Sequence, residues 1–328
     1  MSQSARTTDA VHRLVPSPAG RIHLVEQGSG PLVLLVHGFP ESWYSWRHQL
    51  PALAAAGYRA VAIDVRGYGR SSRPADPAAY RMLDLVEDNV AVVRALGART
   101  AVIVGHDWGS PIASTSALVR PDVFTAVGLL SVPYKPPGGP RSSEIFARMG
   151  GADAEFYIAY FQEPGRAEAE IEPDVRGWLA GIYAALSADT MPAPGTDGPL
   201  FVRPGARLRD QFPTGVLPAW LSEDDLDFYA GEFERTGLTG GLNRYRNMDR
   251  DREDLAGCHG RPLTQPSLFV TGARDAAVTW LAGAARAHPT TLPGLLASHV
   301  LDCGHWVQQE RPAEVNRILT DWLAALPG

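Results

Sequence analysis

Six consecutive residues, Gly105-His106-Asp107-Trp108-Gly109-Ser110, set a carboxylate among small neighbours directly after the apolar run Ala101-Val102-Ile103-Val104. A strand that feeds G-x-Nu-x-G and then a helix makes a sharp turn that holds the central side chain clear of a sheet. Small flanking residues let that backbone close up, and Pro111 suits a first helical turn, where a missing N–H does no harm. The plainer use of an aspartate here is to cap the helix. Chemistry supplies a second use. A serine at this place attacks carbonyl carbon; attacking a saturated carbon, it would leave an ether that water could not cleave. A carboxylate leaves an ester whose carbonyl belongs to the enzyme, so water can attack it and restore the nucleophile. Asp107 therefore points to displacement at carbon followed by hydrolysis.

The second step requires a base near neutral pKa. His305, in Asp302-Cys303-Gly304-His305-Trp306, follows the last apolar run and precedes a helical pattern starting near Arg311-Pro312. That placement projects it from the same sheet edge as Asp107. Asp275, in Thr271-Gly272-Ala273-Arg274-Asp275, follows the preceding run and is the acid expected to orient His305, although an aspartate beside Gly272 also suits a turn cap. Nucleophile, acid, histidine is the chain order of the α/β-hydrolase arrangement. The oxyanion formed during ester hydrolysis requires two N–H donors. The amide of Trp108 is one, and the Phe39 amide in His37-Gly38-Phe39-Pro40 is the candidate for the other, with the Phe39-Pro40 bond expected cis. An ordinary Gly/Pro turn would use the same residues.

These side chains need a sheet to carry them. Runs at Leu32 to Val36, Ala60 to Val65, Ala101 to Val104, Ala126 to Val132, Ser267 to Thr271 and His299 to Leu301 are apolar at consecutive positions, as strands buried on both faces are. Helical patterns at Trp43 to Ala56 and Ala79 to Leu96 alternate with the early runs, which is the α/β rhythm. The rhythm stops at Pro133-Tyr134-Lys135-Pro136-Pro137-Gly138-Gly139-Pro140, read as a linker. Helix-like segments follow at Asp153 to Gln162, Ala167 to Leu186 and Glu223 to Thr236, broken by a Pro/Gly-rich stretch at Met191 to Gly205. The expected fold is one α/β core interrupted by an inserted helical cap: core 1–133, cap 134–244, core 245–328. The cap should lie over the carboxyl ends of the strands.

Composition narrows the partners. With 30 basic and 36 acidic residues the net charge is -6, which offers no basic field for nucleic acid or anionic lipid. Two cysteines outside any CxxC pattern make neither a disulfide framework nor a zinc site, and a reducing cytoplasm is expected. No signal peptide or membrane span is legible, no metal or organic cofactor is implied, and oligomeric state is not readable.

Six stretches together carry a resemblance. They are His37-Gly38-Phe39-Pro40-Glu41-Ser42-Trp43, Asp64 to Ser72 (DVRGYGRSS), Gly105 to Gly109, Tyr160 to Gly165 (YFQEPG), Tyr245 to Met248 (YRNM) and Cys303 to Trp306. In these the chain resembles a soluble epoxide hydrolase of the α/β-hydrolase superfamily, which implies that the core is a mostly parallel eight-stranded α/β-hydrolase sheet with the helical cap inserted in it. The resemblance covers nearly the whole chain, with Leu186 to Gln211 fitting least, and no fused N-terminal phosphatase domain is expected. It implies that Tyr157 and Tyr245 bind the epoxide oxygen, with Tyr160 packing beside them. Phenols suit this because at neutral pH they donate a hydrogen bond or a proton without being ionised. Trp108 and Trp306 are expected to wall an apolar substrate pocket, and the product would be a vicinal diol. A haloalkane or fluoroacetate dehalogenase would use the same triad without paired phenols. A non-catalytic receptor on a hydrolase scaffold could dispense with a catalytic group, and an ester hydrolase would require serine at position 107.

Overall fold

The computed structural model describes residues 10–150, 153–191 and 200–327. The apolar runs form strands β3 (Leu32–Val36), β4 (Arg59–Ile63), β5 (Ala101–His106), β6 (Phe124–Leu130), β9 (Ser267–Gly272) and β10 (Leu295–Leu301). Preceding them are β1 (Val11–Ser17) and β2 (Gly20–Gln27), and β7 (Glu155–Phe156) pairs with β8 (Phe201–Val202) in a separate two-stranded sheet. The main sheet runs β1-β2-β4-β3-β5-β6-β9-β10. From β4 to β10 its neighbours are parallel, while β2 pairs antiparallel with both β1 and β4. Every residue of β3 and of β9 is buried, as two covered faces require.

The consecutive-apolar criterion passes over β1 and β2, and the reason is physical. β1 is an edge strand whose residues are mostly exposed. β2 buries His23 and Glu26, each satisfied by a partner: His23 Nδ1 lies 2.7 Å from Asp64 Oδ2, and Arg59 Nε donates to Glu26 Oε2 at 2.8 Å. A buried polar group with a partner is cheap to keep and invisible to an apolar count. β10 is longer than its apolar core suggested, because alternate residues of this opposite edge strand face solvent.

Two of the expected helices are divided, one at Pro173 and the other at Arg81, whose backbone is extended. The pattern from Ala167 to Leu186 divides into Arg166–Ile171, a 3-10 turn Glu172–Asp174 and Val175–Leu186, with Pro173 at the break. Pro77 opens a separate 3-10 turn, Pro77–Tyr80, ahead of the long helix Met82–Ala95. The helix expected over Asp153 to Gln162 is instead strand β7 followed by a single turn, Tyr157–Tyr160. A helix not anticipated, Ser142–Gly150, follows the Pro/Gly-rich linker. Much of the Pro/Gly-rich stretch at Met191 to Gly205, and half of the N-terminal segment read for a signal peptide, lie outside the described residues. Between β6 and β9 the chain is largely helical, ending with Glu223–Thr236, Thr239–Tyr245 and Met248–Asp254. Apolar packing is continuous from the sheet into this segment, joining Leu34 and Phe39 to Trp178, Tyr183 and Phe233. The Tyr183 hydroxyl donates to the Pro40 carbonyl at 2.6 Å, which fastens the segment to the loop after β3. Among the described residues no helix is long and apolar enough to cross a membrane.

The closest backbone approaches lie under the turn after β5. A Cβ at Gly109 would stand 2.0 Å from the Val36 carbonyl oxygen, and backbone cannot swing aside as a side chain can. At Gly257 the same atom would meet nothing within 4 Å. Gly109→Ala is expected to lower stability by about 3 kcal/mol and Gly257→Ala to change it by less than about 0.5 kcal/mol, read from urea unfolding midpoints at equal slope.

Candidate active site

The turn after β5 begins with geometry only small residues allow. A Cβ on Gly105 would lie 1.9 Å from the Gly109 carbonyl oxygen. Between them Asp107 takes a left-handed conformation, φ 49°, which an aspartate tolerates better than most residues but which still stores strain. The Ser110 hydroxyl locks the turn to the neighbouring strand: it accepts from the Leu130 amide at 3.1 Å and lies 2.8 Å from the carbonyls of Gly105 and Leu130. The result is a carboxylate at the carboxyl end of the sheet.

Two elements meet that carboxylate. The Phe39 amide donates to Asp107 Oδ1 at 2.8 Å, and the Phe39-Pro40 peptide is cis. A Cβ on Gly38 would stand 2.3 Å from Asp107 Oδ1, so the loop after β3 needs a glycine at that place. On the other side His305 Nε2 lies 3.5 Å from Asp107 Oδ2. The opposite ring nitrogen, Nδ1, is 3.1 and 3.2 Å from the two oxygens of Asp275. Asp275 also accepts from the Ala277 amide at 2.9 Å, so it caps the short helix Ala276–Trp280 while holding the imidazole. Capping and orienting are two uses of one carboxylate.

A serine joins this group. Ser131, immediately past β6, is fully buried in a left-handed conformation, φ 70°. Its hydroxyl donates to Asp275 Oδ2 at 2.5 Å and lies 3.0 Å from His305 Nδ1. Because the hydroxyl hydrogen goes to Asp275, its lone pair is left to accept from the Nδ1–H, which is then shared between serine and carboxylate. The apolar run Ala126 to Val132 hides Ser131 inside the expected strand; with β6 ending at Leu130, it falls under the rule that brings Asp107, Asp275 and His305 together, that residues just beyond parallel strands share one edge.

Charge sets the protonation of the cluster. Burial alone would raise the pKa of Asp107, but His305, His106 and the Phe39 amide outweigh it and hold the carboxyl below the usual range. Asp275 is likewise lowered against its burial, by His305, Ser131 and the Ala277 amide. Burial would depress His305, yet Asp275 and Asp107 push it well above an ordinary histidine. The resting site is an imidazolium between two carboxylates.

Behind it lies a wholly buried network. Glu41 accepts from the Gly38 amide at 2.9 Å and from the side-chain amides of Gln308 and Gln309 at 3.0 and 3.2 Å, and it lies 2.8 Å from His106 Nδ1. His106 Nε2 reaches the His305 carbonyl at 2.8 Å. Burial opposes ionisation of Glu41, but His106 and the Gly38 amide hold its pKa below the usual value. The loop bearing the Phe39 amide and the loop bearing His305 are thus tied to a common carboxylate.

A cavity of about 450 Å³ opens on Asp107 and His305 and is lined also by Phe39, Trp108, Tyr157 and Tyr245. Tyr157 starts the single helical turn after β7, and Tyr245 ends the helix Thr239–Tyr245; their ring centroids are 6.1 Å apart. Burial, with Asp107 nearby, raises both phenols well above their ordinary pKa, so both keep their protons. Tyr160 points elsewhere: its hydroxyl donates to Glu170 at 2.6 Å and Arg166 covers its ring. Trp108, half-buried, packs edge-on against Tyr245 at 5.1 Å. Trp306 is a correction to the expected pocket wall, since it is absent from the lining. Past His305 the chain turns inward, and the Trp306 indole is fully buried, packed on His305 and Tyr183 and donating to the Tyr183 carbonyl at 3.2 Å. Phe146, Phe156, Trp178 and Trp280 supply the aromatic wall instead, from segments whose approach no local sequence pattern encodes.

Residues 31–191 match the alpha/beta hydrolase fold family. Over an alignment 351 positions long, gaps included, the chain is 44% identical to epoxide hydrolase B of Mycobacterium tuberculosis, spanning 96% of this chain and 99% of that one. An epoxide hydrolase from an endophytic Streptomyces superposes with a TM-score of 0.94 at 70% identity, covering 96% and 95% of the two chains. Epoxide hydrolase A from Mycobacterium thermoresistibile gives 0.91 at 42% identity, over 97% and 99%. A carboxylate where a serine hydrolase would carry its alcohol, and likeness sustained from end to end at this level, lead to one assignment: the chain belongs to the epoxide hydrolases of the alpha/beta hydrolase fold.

Proposed function

We propose that Asp107 opens an apolar epoxide and that His305 and Asp275 then hydrolyse the resulting ester, giving a vicinal diol. The observation that carries this reading is the pair of protonated phenols, Tyr157 and Tyr245, lining one cavity with the carboxylate. A halide leaving group would have no use for a proton, whereas the oxygen of an opened epoxide does. Segment 134–244 acts as the cap, with Tyr245 on the helix that leads back to the core, and the two free cysteines suit a reducing cytoplasm.

In the first step an Asp107 oxygen bonds to one epoxide carbon in line while the C–O bond on its far side breaks, inverting that carbon. The developing alkoxide receives hydrogen bonds from Tyr157 and Tyr245 and takes a proton from one of them. The product is a hydroxyalkyl ester, and the phenolate, strongly basic in its buried place, recovers a proton. His305 can supply the balance. Esterification removes one of the two negative charges that raise its pKa, so the imidazolium becomes a better acid at that moment.

Neutral His305, oriented by Asp275 and Ser131, then takes a proton from water as the water oxygen bonds to the Asp107 carbonyl carbon. The amides of Phe39 and Trp108 hold the oxyanion. Collapse expels the diol oxygen, which takes the proton back from His305; the carboxylic acid left on Asp107 then passes its proton to His305, which restores the imidazolium and a carboxylate carrying solvent oxygen.

His305→Gln is expected to slow alkylation, because Asp107 loses the positive charge that favours its ionised form, and to slow hydrolysis further, by at least about 10³-fold, so that the ester accumulates. Intact-protein mass spectrometry after mixing with styrene oxide should then show one added epoxide mass, mapped to Asp107; a variant that stays unlabelled while losing turnover would contradict the covalent step. Tyr157→Phe and Tyr245→Phe should each lower the alkylation rate by about 10²-fold, and the double variant should form no adduct in the His305→Gln background. Measured by stopped flow, ester hydrolysis should rise with pH, because it needs the unprotonated imidazole. Its apparent pKa should lie below that of His305 in the free enzyme, read by NMR of the ring, since the ester has lost one of the two raising charges; coincident values would rule out that linkage.

A further inference from the structure

Glu310 follows His305 at the end of the short helix Val307–Glu310, and its half-buried carboxylate is engaged by backbone. Oε2 accepts from the Gly304 amide at 2.9 Å and from the Ala188 amide at 3.0 Å, and Oε1 accepts from the Trp306 amide at 3.1 Å. Two of these amides flank His305; the third belongs to the segment that leaves the helix Val175–Leu186. Among the described residues no cationic side chain pairs with Glu310, so these N–H groups meet its charge.

The His305 amide itself donates to the Leu186 carbonyl at 2.9 Å. Loop and segment are in backbone contact: a Cβ on Gly304 would stand 2.3 Å from the Leu186 carbonyl oxygen and 2.7 Å from the Ala188 nitrogen. The loop of the acid takes hold of the same segment, since Arg274, next to Asp275, donates from Nη1 to the Ala188 carbonyl at 2.6 Å. Residues 186–188 are thus a strut between the loop of the base and the loop of the acid. The helix that leads into it faces the cavity, with Trp178, Ile182 and Leu186 in the lining.

Alkylation and hydrolysis differ in what they require of His305. Keeping Asp107 ionised depends on a charge, whose attraction falls only as the inverse of distance. Taking a proton from water depends on a hydrogen bond, which a displacement of about 1 Å breaks. We infer that Glu310 is a positioning residue for the hydrolytic step: it clamps the end of the helix Val175–Leu186 to the loop of the base and so fixes where the His305 ring stands over the ester. The inference rests on the epoxide-opening reading, in which that ester forms, and the experiment separates the two.

Glu310→Gln keeps the shape of the side chain but sets an NH₂ group, a donor, against amides that need an acceptor. Rapid-quench mixing with styrene oxide or cyclohexene oxide, read by intact-protein mass spectrometry, follows both steps. Hydrolysis is expected to fall about ten-fold while alkylation stays within about two-fold, so that the ester rises above its wild-type level. NMR of the free variant should show the His305 Nδ1–H signal shifted from its wild-type position. Arg274→Met, at a half-exposed side chain, removes the other grip on Ala188 and should slow hydrolysis alone by about three-fold; it carries the same test if the Gln variant does not fold. A folded variant that slows both steps equally or neither, or whose His305 signal is unmoved, overturns the clamp and leaves the epoxide reading standing. If the wild type opens neither epoxide, that reading fails and the clamp falls with it.

Discussion

The contact on which the site depends is the one between the His305 imidazolium and the two carboxylates that flank it. Asp107 and Asp275 are both withdrawn from water, and an anion without a partner in such a place answers by binding a proton. A protonated Asp107 would be no nucleophile. His305 therefore acts before any water is activated, by keeping the attacking group ionised. The same charge pairing times the next event. While Asp107 is free the histidine holds its proton; once Asp107 is an ester, the reason for holding it is halved. In the proposed reaction the order of alkylation and hydrolysis then follows from electrostatics, with no need for the ring to move.

That arrangement tolerates little displacement, and much of the surrounding structure removes freedom from it. The left-handed turn at Asp107 is enforced from below by backbone contacts at Gly105 and Gly109, and from the side by the Ser110 hydroxyl. Ser131 and the Ala277 amide each hold one oxygen of the Asp275 carboxylate and together fix its rotation. Glu41 and His106 couple the two loops that approach Asp107 from opposite sides, so the Phe39 amide and the His305 ring keep a common frame. Two residues at left-handed φ, Asp107 and Ser131, lie among the reacting groups, and no other non-glycine residue has one among those described.

The sequence was most readable where function and local backbone coincide. Asp107, Asp275 and His305 each come after an apolar run long enough to be a buried strand, and parallel strands deliver the residues at their carboxyl ends to one edge. Ser131 lies inside the apolar run Ala126 to Val132 and becomes an edge residue only because the strand ends at Leu130, short of the run's own end. The outer strands were harder. β1 and β2 are held by hydrogen bonds and by paired buried side chains such as His23 with Asp64, and periodicity does not register pairing. Trp306 failed for a related reason: adjacency to His305 in the chain fixes distance but not direction, and the turn into Val307–Glu310 sends the indole into the core. The aromatic wall of the cavity depends on how separate helices pack, which no short stretch specifies.

In-line displacement explains why the insertion is needed at all. The nucleophile and the leaving oxygen must stand on opposite sides of the attacked carbon, whereas the strand ends that hold the triad furnish only one side. Tyr157 and Tyr245 come from chain between β6 and β9 and line the same cavity, so they can meet the oxygen that Asp107 cannot. Their raised pKa values suit the task in a particular way. A stronger acid would sit partly ionised beside Asp107 and repel it; a buried phenol stays neutral, orients its O–H toward developing charge, and yields the proton only to a base as strong as an alkoxide. In the proposed reaction the strand ends thus hold the ester and its hydrolysis, while Tyr157 of the insertion and Tyr245 at its return to the core meet the departing oxygen.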